Sequence, residues 1–133
     1  MGGAFDFQDD YRYWALDAIF DHPFGTGSAT AQVNLVRWDG GTFIAALPKQ
    51  TALMAEGGYR FADFWLSPIL RFERRWMTTP TAEAPDETRY GGGLAFWPFG
   101  HDTNLKAFYT RIQPDPGVHD YSQFVVQWQM YFY

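Results

Sequence analysis

The sequence predicts an all-β protein, built from antiparallel strands that each have one apolar face and one polar face. The clearest observation is the segment 123–133, in which apolar Phe124, Val126, Trp128 and Met130 alternate with mostly polar residues. Alternation with a period of two is typical of a strand whose two faces meet different surroundings. Two further observations support this class: aromatic residues make up 20% of the chain, and loop signals recur at regular intervals.

Seven strands follow from this alternation along the chain of 133 residues, with a further partial strand over Ala4–Gln8. Each is about nine to twelve residues long, which is longer than the usual globular strand and close to what a tilted strand needs to cross a bilayer. The predicted spans are 11–21, 28–38, 50–60, 65–76, 89–97, 104–112 and 122–132.

The connections between these strands alternate in length. Long segments rich in loop-forming residues lie at 39–49, 77–88 and 113–120, and short turns lie between the other strand pairs. This alternation places all long loops at one end of the strands, as in outer-membrane barrels.

Aromatic residues predict two bands, one near each end of the strands, as interfacial girdles would form. The girdle candidates are Trp14, Trp38, Trp65, Trp76, Trp97, Phe132 and Tyr133. The opposite strand face carries charges of both signs in mid-strand, which must face water because unpaired buried charges are costly. Alternation alone leaves two arrangements open: a transmembrane barrel with the polar face inside, or a soluble barrel with the apolar face inside.

Composition excludes several other classes. No apolar run reaches the roughly 18 residues of a membrane helix, and the net charge of -5 argues against nucleic-acid binding. The chain has no cysteine, and its histidines stand at no metal-ligand spacing, so we expect neither a metal nor a cofactor. No Ser/His/Asp set or carboxylate pair stands out, so we predict no catalytic residues and no enzymatic activity.

Three segments carry a resemblance to a known family. The strand pair Glu56-Gly-Gly-Tyr-Arg-Phe61 and Leu66-Ser-Pro-Ile-Leu-Arg-Phe-Glu73, the pair 89–97 and 104–112, and the strand 123–130 resemble porins of the phosphate-selective (O and P) family. The resemblance covers roughly residues 11–133. It implies an outer-membrane barrel of about 16 strands, trimeric, that passes small hydrophilic solutes or ions down their gradients.

The resemblance also implies partners and a location. We expect the bacterial outer membrane, contact with its lipid and lipopolysaccharide, and recognition of the last strand by the barrel-assembly machinery. Residues 1–133 would be one domain, the last seven or eight strands of the barrel, since 1–6 lack the character of a signal peptide and an N-terminal half is missing.

Residues of the polar face are the candidates for lining a pore, because rings of charged side chains set ion preference in channels. They are Glu56, Arg60, Arg71, Glu73, Arg75, Arg89, Lys106, Gln127 and Gln129. Basic residues slightly outnumber acidic ones on this face, which predicts a lean towards anions; the other interpretation is that these charges pair across strands and stabilise the wall. The alternative function is a soluble or periplasmic lipocalin-like barrel that binds an apolar ligand.

Overall fold

The computed structural model describes residues 1–62, 64–97, 103–117 and 119–130, and these form one antiparallel sheet. Its strands are β1 (Gly2–Gln8), β2 (Tyr11–Phe24), β3 (Gly27–Asp39), β4 (Gln50–Phe61), β5 (Leu66–Met77), β6 (Asp86–Phe96), β7 (Thr103–Asp115) and β8 (Tyr121–Met130). They pair in sequence order from β1 to β8. The sheet is therefore a meander with β1 and β8 at its edges, and no pairing between those two edges occurs among the described residues.

All seven strands predicted from the alternation are confirmed, and the partial strand predicted at Ala4–Gln8 is β1. Three strands extend three residues further than predicted, and β2 does so by running to Phe24. β6 begins at Asp86 and β7 runs to Asp115, because Glu87 pairs with Pro114 and Asp86 with Asp115 beyond the predicted strand ends. Pairing with a neighbouring strand here overrides the loop character of Asp and Pro. The loop predicted at 113–120 is accordingly shortened to 116–120.

Short turns join the strands at one end, which we call the short-turn end. The tightest joins β2 to β3 through Gly25 and Thr26, with Phe24 opposite Gly27. Gly25 has a φ of 63°, a conformation that suits a two-residue hairpin turn and that glycine adopts without strain. At the opposite end, the long-loop end, loops 40–49 and 78–85 confirm the predicted asymmetry for the middle of the sheet.

The loops of the long-loop end hold one another in place. The backbone N–H of Thr42 in loop 40–49 donates to Asp10 in the β1–β2 turn at 2.7 Å. The N–H of Thr78 donates to the carbonyl of Lys49 at 3.0 Å, which ties loop 78–85 to loop 40–49. Lys49 also pairs with Asp39 at 2.7 Å. This end of the sheet therefore carries a connected layer of loops and not isolated connections.

The two faces of the sheet differ in composition and in exposure. Cross-strand register places Phe20, Ala31, Gly57, Leu70, Gly92, Tyr109 and Phe124 in one row of one face, which we call the apolar face. The alternate residues form the polar face. Leu70 is 72% exposed and Trp128 68% exposed on the apolar face, whereas Ala95 and Ile112 on the polar face are 1% and 2% exposed. The side chains that are shielded from solvent therefore belong to the polar face, the reverse of a soluble sheet protein.

Candidate functional site

All nine pore-lining candidates fall on the polar face of the sheet. Glu56 lies directly opposite Arg71, Glu73 opposite Arg89, and Lys106 opposite Gln127. The other three take the same face: Arg60, Arg75 and Gln129. The alternation in the sequence thus grouped these residues on the correct strand face, and strand pairing brings most of them together across β4, β5, β6, β7 and β8.

Six charged side chains of β4, β5 and β6 form a continuous ladder in which the sign alternates. Arg71 donates from Nε to Glu56 Oε2 at 2.6 Å, and its Nη1 lies 3.7 Å from Glu73. Arg89 lies 3.9 Å from the other oxygen of Glu73 and also pairs with Glu87. The ladder of ion pairs then ends with Arg75, whose Nη2 lies 3.8 Å from Glu87.

Three carboxylates and three guanidinium groups cancel within this ladder. Its side chains are partly exposed, from 11% for Glu87 to 41% for Arg71. Pairing at this degree of exposure contributes a modest stabilisation for each pair, and more where several charges form a network. The interpretation that these charges pair across strands therefore describes Arg71, Glu73, Arg75 and Arg89.

Glu87 is the member of the ladder that the sequence analysis missed. Asp86, Glu87 and Thr88 read as part of a loop, because polar residues there follow a Pro-rich segment. In the structure Glu87 is opposite Arg75 within β6 and is only 9% exposed. Including it reduces the predicted excess of basic over acidic residues on this face by one.

A group of small residues shapes the middle of the polar face. Gly91 and Gly93 lie on this face of β6, and the ring of Phe108 from β7 occupies the space above them: a β-carbon added at Gly91 would lie 2.9 Å from its Cε1, and one at Gly93 3.0 Å from its Cγ. The guanidinium carbon of Arg71 stands 5.1 Å from the centre of this ring. Glycines in this strand therefore permit close packing, and the aromatic ring they accommodate lies against a residue of the ladder.

Lys106 and its neighbours form a second part of the face, nearer the short-turn end. The Lys106 Nζ stands 5.9 Å from the ring centre of Trp97, and Asn104, 1% exposed, donates to Gln129 at 3.2 Å. A recess of about 300 Å³ connects this region to the ladder. Its polar lining includes Glu56, Arg71, Arg89, Lys106, Gln123 and Gln127. Neither Lys106 nor Arg60 forms an ion pair with any described residue.

The girdle candidates divide between the two faces. Register places Trp14 and Trp76 on the apolar face near the long-loop end, and Trp65 lies in the turn between β4 and β5, 57% exposed. Trp38 lies opposite Tyr13 on the polar face, and Trp97 lines a recess of that face with Lys106, so both differ from the prediction. The alternation of side chains along β3 decides the face of Trp38: Arg37 is on the apolar face, so the next residue is on the polar face. Phe132 and Tyr133 lie outside the described residues.

No three metal-ligating side chains come together in the described part of the chain. Within residues 1–62, 64–97, 103–117 and 119–130, no helix has the length and apolarity that crossing a membrane would require. Two loop carboxylates have a lowered pKa: that of Asp10 through hydrogen bonds from Thr42, and that of Asp120 through hydrogen bonds from Gln113 and Arg111.

Comparison of the chain with family models, with curated proteins and with solved structures finds no match. The features of this protein that bear on its function are therefore the two faces of the sheet and the charges of the polar face.

Proposed function

We propose that this chain forms part of the wall of a transmembrane β-barrel in the bacterial outer membrane, a porin through which small hydrophilic solutes or ions diffuse passively. The observation that carries the proposal is the inverted exposure of the sheet: Leu70 and Trp128 are more than two thirds exposed on one face, whereas the buried side chains of the strands, Glu87 and Asn104 among them, and a partly exposed ladder of ion pairs lie on the other. In water such a face would be an aggregation surface, because monomeric soluble proteins rarely expose continuous apolar areas beyond a few hundred Å².

The height of the apolar face supports a bilayer as the medium that covers it. On β3 the first charged residue of this face is Arg37, ten residues from Gly27 at the short-turn end. At about 3.3 Å per residue this is about 33 Å along the strand. A strand tilted by about 40° covers about 25 Å of that along the barrel axis, which is the height of the apolar band in outer-membrane barrels.

An aqueous channel requires strands beyond the eight of this sheet. Edge N–H and C=O groups of β1 and β8 would be unsatisfied in lipid, so the sheet cannot remain open there. Closure on itself would give about eight strands, whose interior is filled by side chains, whereas an aqueous pore takes about 16. The proposed channel is therefore a larger barrel, assembled as a trimer, to which these strands contribute.

The alternative of a lipocalin-like barrel needs the apolar face inside. A soluble barrel that binds an apolar ligand encloses its apolar face and exposes its polar face to water. Here Leu70, Phe124 and Trp128 are exposed, and the charged ladder lies on the shielded face. The exposure pattern favours the channel.

Charge selectivity of the proposed channel should be weak. The predicted lean towards anions depended on an excess of basic residues, but the ladder is neutral once Glu87 is included. Lys106 and Arg60 remain as cations, and Asp17 and Asp21 occupy the same face on β2. We therefore propose that any lean towards anions comes from Lys106 and Arg60 alone.

Two neighbouring valines of β8 provide a matched test. Val125 lies on the polar face and Val126 on the apolar face, and both are exposed, at 45% and 59%. The chain has no cysteine, so Val125→Cys and Val126→Cys each introduce a single thiol without background. We expect a water-soluble thiol reagent to label Val125→Cys but not Val126→Cys in membranes that contain the assembled protein.

The same variants test the channel. Attaching a bulky, water-soluble thiol reagent to Val125→Cys should reduce the flux of small solutes through the assembled protein, because the added group stands in the lumen. Treatment of Val126→Cys should leave the flux unchanged. Equal labelling of both positions would contradict the membrane arrangement, and absence of solute flux from the assembled protein would contradict the channel.

A further inference from the structure

Four arginines occupy the apolar face close to the long-loop end. Arg12 lies opposite Phe7, Arg37 opposite Trp14, Arg74 opposite Leu53, and Arg111 opposite Tyr90. We call these four residues the arginine belt. On the short-turn side of the belt, the apolar face of the described strands carries no Asp, Glu, Lys or Arg. The belt therefore marks the boundary where the uncharged band ends.

Register indicates that the belt follows a line across the sheet and is not four scattered charges. Arg37 lies two residues nearer the short-turn end than Asp39, the β3 residue that pairs with Arg12. Followed through the pairing in the same way, Arg74 on β5 lies a further two residues towards that end relative to Arg37, and Arg111 on β7 a further two relative to Arg74. Strands of a barrel tilt, so points of equal height shift along the strands from one to the next. A steady shift of this kind places the four guanidinium groups at a similar height on the outer surface.

The acidic neighbours of the belt lie on its loop side. Arg74 has Asp86 at 3.7 Å, Arg111 has Asp120 at 3.1 Å, and Asp39 lies two residues beyond Arg37 towards the loop. Arg37 is exposed and forms no ion pair among the described residues. Arg37 therefore keeps an uncompensated positive charge at the border of the apolar band, and the aspartates that pair with Arg74 and Arg111 lie on the side away from that band.

We propose that the arginine belt binds the phosphate groups of anionic membrane lipids in the monolayer at the long-loop end. This inference rests on the proposed function, since it takes the apolar band as the surface that meets acyl chains. A guanidinium group at the level of the headgroups matches phosphate in charge and in geometry, because its N–H donors can engage two phosphate oxygens at once. Trp14 and Trp76, beside Arg37 and Arg74 on the same face, place aromatic rings at the same interface.

Quenching of tryptophan fluorescence by brominated lipids measures this preference. The protein is reconstituted in phosphatidylcholine vesicles that contain an equal mole fraction of either brominated phosphatidic acid or brominated phosphatidylcholine. We expect stronger quenching by the brominated phosphatidic acid than by the brominated phosphatidylcholine. The preference, defined as the ratio of the binding constants of these two lipids at the belt, should fall about fivefold for each arginine removed. Arg37→Gln/Arg74→Gln should bring the two lipids close to equality.

Two further variants separate charge at the belt from other effects. Lys49→Gln removes a positive charge at the same end of the sheet but from a loop, and should keep the preference for phosphatidic acid. Arg37→Lys/Arg74→Lys keeps the charge, and should restore most of the preference that the glutamines abolish. Equal quenching of the unaltered protein by both lipids, or equal losses in the Lys49→Gln control, would overturn the inference while leaving the membrane arrangement intact. Absence of quenching by either lipid would overturn both.

Discussion

Replacing Gly93 with alanine should destabilise the sheet, whereas the same change at its neighbour Gly92 should not. Gly93 lies on the polar face under the ring of Phe108. A β-carbon there would stand 2.6 Å from the carbonyl oxygen of Ala107 and closer still to Cδ2 of Phe108. At Gly92, on the apolar face, the nearest atoms would be Leu70 Cδ2 at 3.2 Å and the Ile69 carbonyl oxygen at 3.5 Å.

These distances set the expected magnitudes. Ordinary contacts begin at 3.4 Å, so the Ala107 carbonyl would have to move by most of an ångström, which its ladder hydrogen bonds resist. Overpacking of this kind costs about 1–3 kcal/mol. Displacing Phe108 also weakens its contact with Arg71, a further loss of about 0.5–1 kcal/mol. Against this, alanine restricts the unfolded chain and adds about 0.4–1 kcal/mol at either site. We therefore expect the free energies of unfolding of the two variants to differ by about 2 kcal/mol, with Gly93→Ala the less stable.

Urea unfolding followed by tryptophan fluorescence, with the assembled protein in detergent or vesicles, measures this difference. The two variants have identical composition and adjacent positions, so effects of alanine on the unfolded chain cancel between them. Equal midpoints for Gly92→Ala and Gly93→Ala would refute the packing of Phe108 over the glycines. A lower midpoint for Gly92→Ala would indicate that the two faces of β6 are interchanged.

Three further predictions concern charged groups. A double-mutant cycle with Glu56→Gln and Arg71→Gln should give a coupling of about 0.5–1 kcal/mol in the free energy of unfolding, because the pair is partly exposed. This coupling should decrease in 1 M salt, and a coupling that does not change with salt would contradict the prediction. Lys106→Glu should shift the reversal potential of the proposed channel towards that of a cation-selective pore. An unchanged reversal potential would contradict a position of Lys106 in the lumen. The hydrogen bond from the Thr42 N–H lowers the pKa of the Asp10 carboxylate below 3.8. The ionised carboxylate should therefore protect the Thr42 amide from hydrogen exchange above pH 3.8, and the protection should be lost as the pH falls through the lowered pKa. Asp10→Asn should show no such pH-dependent step.

The strands and their two faces could be predicted from the sequence because both depend on a local pattern. A period of two assigns each side chain to a face as soon as one residue of the strand is placed, which is why Glu56 and Lys106 were assigned to the same face before any pairing was known. The same alternation shows where the predicted aromatic girdle differs from the structure. Trp38 and Trp97 were assigned to a girdle by their position near strand ends, without counting which face each occupies.

The contacts of the polar face could not be predicted because they depend on register between strands. Nothing in the sequence states that Glu87 stands opposite Arg75, since polar residues at the start of β6 have the composition of a loop. The support that Phe108 gives to Arg71 likewise joins β5 and β7 through the glycines of β6. The face of a residue thus depends on local sequence, whereas the charge balance of the face depends on pairing, so each acidic residue that pairing adds to the face, such as Glu87, weakens the predicted lean towards anions.

The arrangement of charges locates where a channel built from this sheet could select ions. The ladder lies towards the long-loop side of β4, β5 and β6 and is neutral, so it gives the wall rigidity with little net field. Arg60 and Lys106 lie towards the short-turn end and line one recess together with Asp21 and Glu56, and Glu56 is already paired with Arg71 of the ladder. Because Arg60 and Lys106 then face Asp21 as the other acid of this recess, substitutions at the short-turn end should change ion preference more than substitutions that remove an opposite-charge pair from the ladder. In the proposed channel, the ladder therefore supports the wall and the short-turn end sets its selectivity.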